Sequence, residues 1–141
     1  MSLVMSEKVS SILVSQPKPE SEKSPYFGLA DKHRIKIEFR SFIHVEGVSS
    51  QDFRKDRVGL EEYNAVIFTS RNAVDHYFRM CQEMRVPVRD VVKYFCVSEA
   101  IAYYLQKYVV YRKRKIFHGK QTFGDLIPIL KKHNEERFIL P

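Results

Sequence analysis

Three stretches put a hydroxyl side chain where an apolar run gives way to a helical pattern: Phe68-Thr69-Ser70-Arg71-Asn72, Val97-Ser98-Glu99, and Thr122 after the loop His118-Gly119-Lys120-Gln121. The first turn of a helix has N–H groups with no partner inside the helix. With a hydroxyl beside them they can hold a carboxylate or a phosphate. The same residues are equally ordinary helix caps, and taken one at a time capping is the commoner role. Three at one edge of one sheet would be more telling, because in an open parallel sheet ligands bind at the carboxyl ends of the strands. A site is therefore expected around Thr69, Ser70, Arg71 and Asn72, with Ser98 and Thr122 as neighbours.

Other chemistries are set aside on the residues themselves. There is no Gly-x-Gly-x-x-Gly, no Gly-x-x-x-x-Gly-Lys-Ser/Thr, no Gly-x-Ser-x-Gly and no His-Glu-x-x-His, so nothing calls for a nucleotide or a metal. The cysteines, Cys81 and Cys96, lack metal-ligand spacing, and the five histidines are scattered. Asp52, Asp56, Asp75, Asp90 and Asp125 do not end apolar strands, which disfavours a phosphoacceptor receiver domain. A reduced Cys96 in an apolar run, with no secretory or membrane-spanning segment, points to the cytoplasm. The net charge of +7 and pI near 9.4 favour an anionic partner. Its densest source is residues 107–120, with Tyr108 and Tyr111 among the cations. That run suits a polyanion such as RNA, bound by a non-enzymatic α/β module, or more simply a charged edge strand that resists aggregation.

The elements that must position these residues alternate in type. Residues 11–15 read as a strand stopped by Pro17 and Pro19, and Ser24-Pro25 opens a short helix to His33. Residues 34–45 alternate with period two and predict one long strand with a wet face. A helix over 51–63, weakened by Gly59, precedes the run Ala65-Val66-Ile67-Phe68, which is apolar throughout and so suits a strand buried on both faces. Helix 72–84, strand 91–97, helix 100–108, strand 115–117, a helix after Thr122 kinked or restarted at Pro128, and strand 138–140 follow. The fold class expected is α/β, a parallel doubly wound sheet with flanking helices. At 141 residues with 44% hydrophobic content the chain can bury one sizeable core.

The segments Ile12-Leu13-Val14-Ser15-Gln16-Pro17, Tyr63-Asn64-Ala65-Val66-Ile67-Phe68-Thr69-Ser70-Arg71-Asn72-Ala73-Val74 and Phe95-Cys96-Val97-Ser98-Glu99-Ala100-Ile101-Ala102 together resemble the first half to three-fifths of a uroporphyrinogen-III synthase. The resemblance implies two α/β lobes joined by a two-stranded ribbon. Residues 1–34 would belong to a first, incomplete lobe, 35–47 to the ribbon, and 48–141 to a second lobe truncated at its C-terminal end. It also implies a cofactor-free lyase that cyclises hydroxymethylbilane, inverts ring D and loses water, expected to be monomeric when complete and to need neither nucleic acid nor membrane. The implied substrate-binding residues are Thr69, Ser70, Asn72, Ser98, Thr122 and Gln16. No catalytic residue can be assigned, because the tyrosine proposed to assist leaving-group departure would fall beyond Pro141. The chain alone is then expected to be inactive. Where the family often has Val-Gly-x-x-Thr-Ala, this chain has Val97-Ser98-Glu99-Ala100-Ile101-Ala102, replacing the glycine and the threonine by Ser98 and Ile101.

Overall fold

A computed structural model of the chain describes residues 8–141. Two compact units divide it, Met1–Glu46 and Gly47–Pro141. The first holds strand β1 (Ser11–Val14), helix α1 (Pro25–His33) and strand β2 (Lys36–Phe39). The strands pair in parallel, from Ser11 with Lys36 to Val14 with Phe39. Pro25 starts α1 behind Ser24, and Arg34, in the left-handed conformation at φ 51°, ends it. Tyr26 and Phe27 pack on Phe39, with ring centroids 5.4 and 6.2 Å apart. None of this unit's described residues is fully buried.

The long strand expected over residues 34–45 is therefore four residues of strand, not twelve. Alternation marks which side chains could share a face, but a strand also needs a neighbour for its N–H and C=O groups. β1 supplies one only as far as Phe39 and the Arg40 N–H, which donates to the Val14 carbonyl at 2.9 Å. Beyond it Phe42, Ile43 and Val45 stand exposed.

In the second unit, helix α2 (Ser50–Lys55) and a 3-10 turn (Leu60–Glu62) lead into β3 (Ala65–Phe68) and α3 (Arg71–Glu83). β4 (Lys93–Cys96), α4 (Glu99–Tyr104) with a 3-10 extension (Leu105–Lys107), β5 (Ile116–His118), α5 (Phe123–Lys131) and β6 (Phe138–Ile139) complete it. The expected helix over 51–63 is broken where Arg57 adopts φ 53°. Pro128, by contrast, does not break α5. The bond it forfeits, to the Gly124 carbonyl, lies in the exposed first turn.

The four strands form one parallel sheet in the order β5-β4-β3-β6. All four residues of β3 are buried, with Ala65, Val66 and Phe68 fully so. Asn64 fixes β3's start: its side-chain oxygen accepts from the Arg137 N–H at 2.7 Å, its carbonyl from Lys93 at 2.9 Å. Side chains alternate across the sheet. On one face Phe68 stacks with Tyr94 (6.0 Å) and meets Tyr77 (5.6 Å) and Phe78 of α3. On the other, Phe95 stacks on Phe117 (5.0 Å) and meets Phe138 and His133 edge-on. This is the parallel α/β architecture that the alternating elements predict.

Because Phe68 is fully enclosed, Phe68→Ala should cost about 3–5 kcal/mol of unfolding free energy. Ile43→Ala, at an 84% exposed position, should stay within about 0.5 kcal/mol. Urea unfolding curves compare the two directly.

Candidate functional site

The parallel sheet brings the ends of β3, β4 and β5 to one edge, and backbone hydrogen bonds join them there. Val97 N–H donates to the Phe68 carbonyl at 3.0 Å, and Gly119 N–H to the Cys96 carbonyl at 2.9 Å. Gly119 is buried, and a β-carbon on it would lie 2.8 Å from the Asp125 Cβ and 3.1 Å from the Val97 carbonyl oxygen. The loop after β5 can therefore close against β4 only with glycine at this position.

Ser70, Ser98 and Thr122 are the N-caps of α3, α4 and α5, each in an extended backbone conformation. The Ser70 hydroxyl oxygen accepts from the Ala73 N–H at 3.0 Å and that of Ser98 from the Ile101 N–H at 3.4 Å. Each serine keeps its own O–H free to donate outward. Thr69 and Asn72 are exposed, and their side chains form no hydrogen bond to the described residues. The third cap differs. The Asp125 carboxylate accepts from the Gln121 N–H (3.0 Å), the Thr122 N–H (2.9 Å) and the Thr122 hydroxyl (3.0 Å). The anion at the start of α5 is thus the chain's own. Those bonds, the backbone N–H of Thr122 foremost, hold the Asp125 carboxyl below the usual aspartate range. Gln16 lies in the other unit, exposed in the loop after β1.

One cluster beside these residues is invisible to pattern reading. Asp75, one turn along α3 from Arg71, accepts from the Tyr104 hydroxyl at 2.9 Å and from the Tyr108 hydroxyl, and lies 3.7 Å from the Lys107 ammonium. The Arg71 guanidinium sits 5.4 Å from the Tyr104 ring centre. Partial burial works to raise the Asp75 carboxyl, but the Tyr108 and Tyr104 hydroxyls with Lys107 outweigh it and leave it below its ordinary value. The only sequence signal for the cluster is the Arg71/Asp75 spacing on one helix face; the tyrosines are some thirty residues away.

The basic run of residues 107–120 lies mainly in the loop before the edge strand β5. Arg112 and Lys115 pair with Asp90 at 2.7 and 3.2 Å, so much of its charge is internally matched. Lys113, Arg114 and Lys120 have no carboxylate partner among the described residues. Both cysteines are buried free thiols, and burial pushes the Cys96 thiol up to about 12. It is thus a protonated core residue rather than a nucleophile. No group of three or more His, Cys, Asp or Glu side chains suited to a metal occurs among the described residues.

A family model described as uroporphyrinogen-III synthase HemD matches residues 28–141. The chain belongs to the uroporphyrinogen-III synthase family. No curated protein matches it. The match starts within α1 and takes in the whole second unit, so Thr69, Ser70, Asn72, Ser98 and Thr122 fall inside it and Gln16 outside. The α/β architecture of parallel sheets flanked by helices is that of a uroporphyrinogen-III synthase, and the family places the chain with the proteins of porphyrin biosynthesis. No helix among the described residues is long and apolar enough to cross a membrane.

Two stability outcomes follow from the caps. Ser70→Ala should cost about 1 kcal/mol in urea unfolding, while Thr69→Val, whose hydroxyl has no partner in the described chain, should cost less than about 0.5 kcal/mol. Asp125 gives a pH signature. Its folded carboxyl is depressed, so its contribution is fully present above the unfolded aspartate value of about 4. It is lost as pH falls through the lower folded value. In unfolding measurements between pH 6 and 2, Asp125→Asn should therefore shrink the acid-side loss of stability.

Proposed function

We propose that the chain acts in the uroporphyrinogen-III synthase reaction, the cyclisation of hydroxymethylbilane with inversion of ring D and loss of water. The observation that carries this reading is the family match over residues 28–141, which spans the strand-end hydroxyls. The substrate's electron-rich pyrroles supply the driving force: the hydroxyl of the terminal hydroxymethyl group leaves as hydroxide, which takes up a proton to become water, and the methylene it leaves behind becomes part of an azafulvene cation. Attack of the substituted α-carbon of ring D on that cation forms one new carbon–carbon bond; for the ring to invert, its older bond to the ring C methylene then breaks and re-forms at the free α-carbon of ring D, which gives up its proton. The protein's part is to fold the chain and hold its carboxylates, an orientation effect.

In this reading the ends of β3 and β4 hold substrate carboxylates. Thr69 and Asn72 offer uncommitted side chains, and Ser70 and Ser98 offer O–H donors whose oxygens are already fixed by helix N–H groups. Thr122 contributes less than its position suggests, because its hydroxyl and the neighbouring N–H groups serve Asp125, and that carboxylate repels a second one. Gln16 would contribute from the first lobe and residues 35–47 would form the connecting ribbon. A cytoplasmic, monomeric lyase without a cofactor fits the same reading. The basic surface would raise the encounter rate with a polycarboxylate at low ionic strength.

The test is binding and isomer analysis with hydroxymethylbilane. The chain should bind the substrate in the dark under anaerobic conditions, and type III product above the spontaneous type I background would add activity to that binding. Thr69→Val should weaken that binding about tenfold, the value of a hydrogen bond to a charged group, without loss of stability. Exclusively type I product together with no binding would overturn the proposal. RNA binding that falls steeply with salt and depends on Lys113, Arg114 and Lys120 would instead support a polyanion-binding module.

A further inference from the structure

The opposite end of the same sheet carries a concavity. Where β4 and β5 begin, a cavity of about 210 Å3 opens between the Val88–Val92 loop, Tyr108 to Arg112 and the first residues of β5. Its walls are apolar and polar in about equal share, the apolar part including Val88, Val110, Ile116 and the Tyr108 ring. Val110 is 80% exposed and Val88 45%, so a ligand here would remove apolar surface from water. An internal protein cavity of about 150 Å3 accepts benzene, and this one has room for a single ring with short substituents.

Two polar features narrow the ligand. The first is Tyr94, 4% exposed, which lines the cavity and whose hydroxyl has no hydrogen-bond partner among the described residues. Burial, then the fields of Cys81 and of Asp90 beside the cavity, push its proton loss well above the usual range, so it can only donate or accept as a neutral hydroxyl. An unpaired buried hydroxyl is costly, and a ligand oxygen would relieve it. The second is the lining charge: Arg89, Arg112 and Lys115 against the single carboxylate of Asp90. Arg112 spends one N–H on Asp90 (2.7 Å) and Lys115 reaches the same carboxylate at 3.2 Å and its backbone carbonyl, while one terminal nitrogen of Arg89 serves the Glu61 and Tyr63 carbonyls. A guanidinium has five N–H donors, so both arginines retain several for an anion.

We propose that this cavity is a binding site for a small aromatic carboxylate with an oxygen acceptor at the end remote from its acid, the carboxylate meeting the arginines and the oxygen meeting Tyr94. The site lies away from the strand ends that hold Thr69, Ser70 and Ser98, and it does not depend on their role. 4-Hydroxybenzoate and benzoate are the probes, titrated into the full chain while amide shifts of residues 88–94 and 108–116 are followed by NMR. 4-Hydroxybenzoate should shift these amides and bind about fivefold to tenfold more tightly than benzoate, the value of one hydrogen bond. Tyr94→Phe keeps the shape and removes an unpaired group, so it should fold with unchanged or raised melting temperature and bind the two probes equally. Arg112→Gln should weaken both. Equal binding of the probes by the unaltered chain, shifts confined to other residues, or no shifts at 20 mM probe would overturn the assignment.

Discussion

Everything in the second unit depends on the backbone of β3 being paired, along the whole of one edge and the first half of the other. A strand with Ala65, Val66 and Phe68 wholly out of water cannot leave N–H or C=O groups to solvent. β4 pairs one edge along all four residues, β6 pairs the other at Ala65 and Val66, and Asn64 fixes the start of both ladders. Because all these strands run in parallel, the connections leaving them emerge on one edge. The exposure of Thr69, Ser70 and Asn72 is the direct consequence of burying the four residues before them. Core and candidate site are therefore one construction.

How much of this is legible in the sequence depends on whether the cause is local. β3 and α3 can be read because an unbroken apolar run and a hydroxyl before a helical period are local facts, and Ser70 does cap α3. Residues 34–45 could not be read as well, because their alternation says nothing of how far a neighbour extends, and β1 ends at Val14. The occupant of the α5 N-terminus was in principle readable: Thr122 and Asp125 have the spacing of a cap whose third residue reaches back. The Asp75, Tyr104 and Tyr108 cluster was not, since it exists only once α3 and α4 lie side by side.

Net charge is a poor guide here for a related reason. The +7 of the chain suggests a cationic face, yet Lys107, Arg112 and Lys115, half of the residue 107–120 cations, meet Asp75 or Asp90. Such exposed pairs add little stability, but they lower the field a polyanion would meet and hold the loop before β5 in place. They also leave Arg112 and Lys115 at the mouth of the cavity behind Tyr94, where a smaller anion could share them.

The sheet order also bears on the proposed site. From β3 the chain moves outward through β4 to β5, then α5 carries it back to the far side of β3 for β6. Right-handed crossovers put α3 and α4 on one face and α5 on the other. The aromatic contacts agree, with Phe68 meeting α3 residues and Phe95 meeting His133 just after α5. In open parallel sheets, ligands collect at the carboxyl ends of the strands beside such a reversal. Thr69 to Asn72 follow β3 directly at that end. Thr122 stands farthest away, beyond β5, and its helix start is already neutralised by Asp125. Position and charge thus select the same end of the edge. In the proposed reading, a polycarboxylate is held by neutral hydroxyl donors near β3 and β4, which can orient it without competing for the positive charge that develops as hydroxide departs.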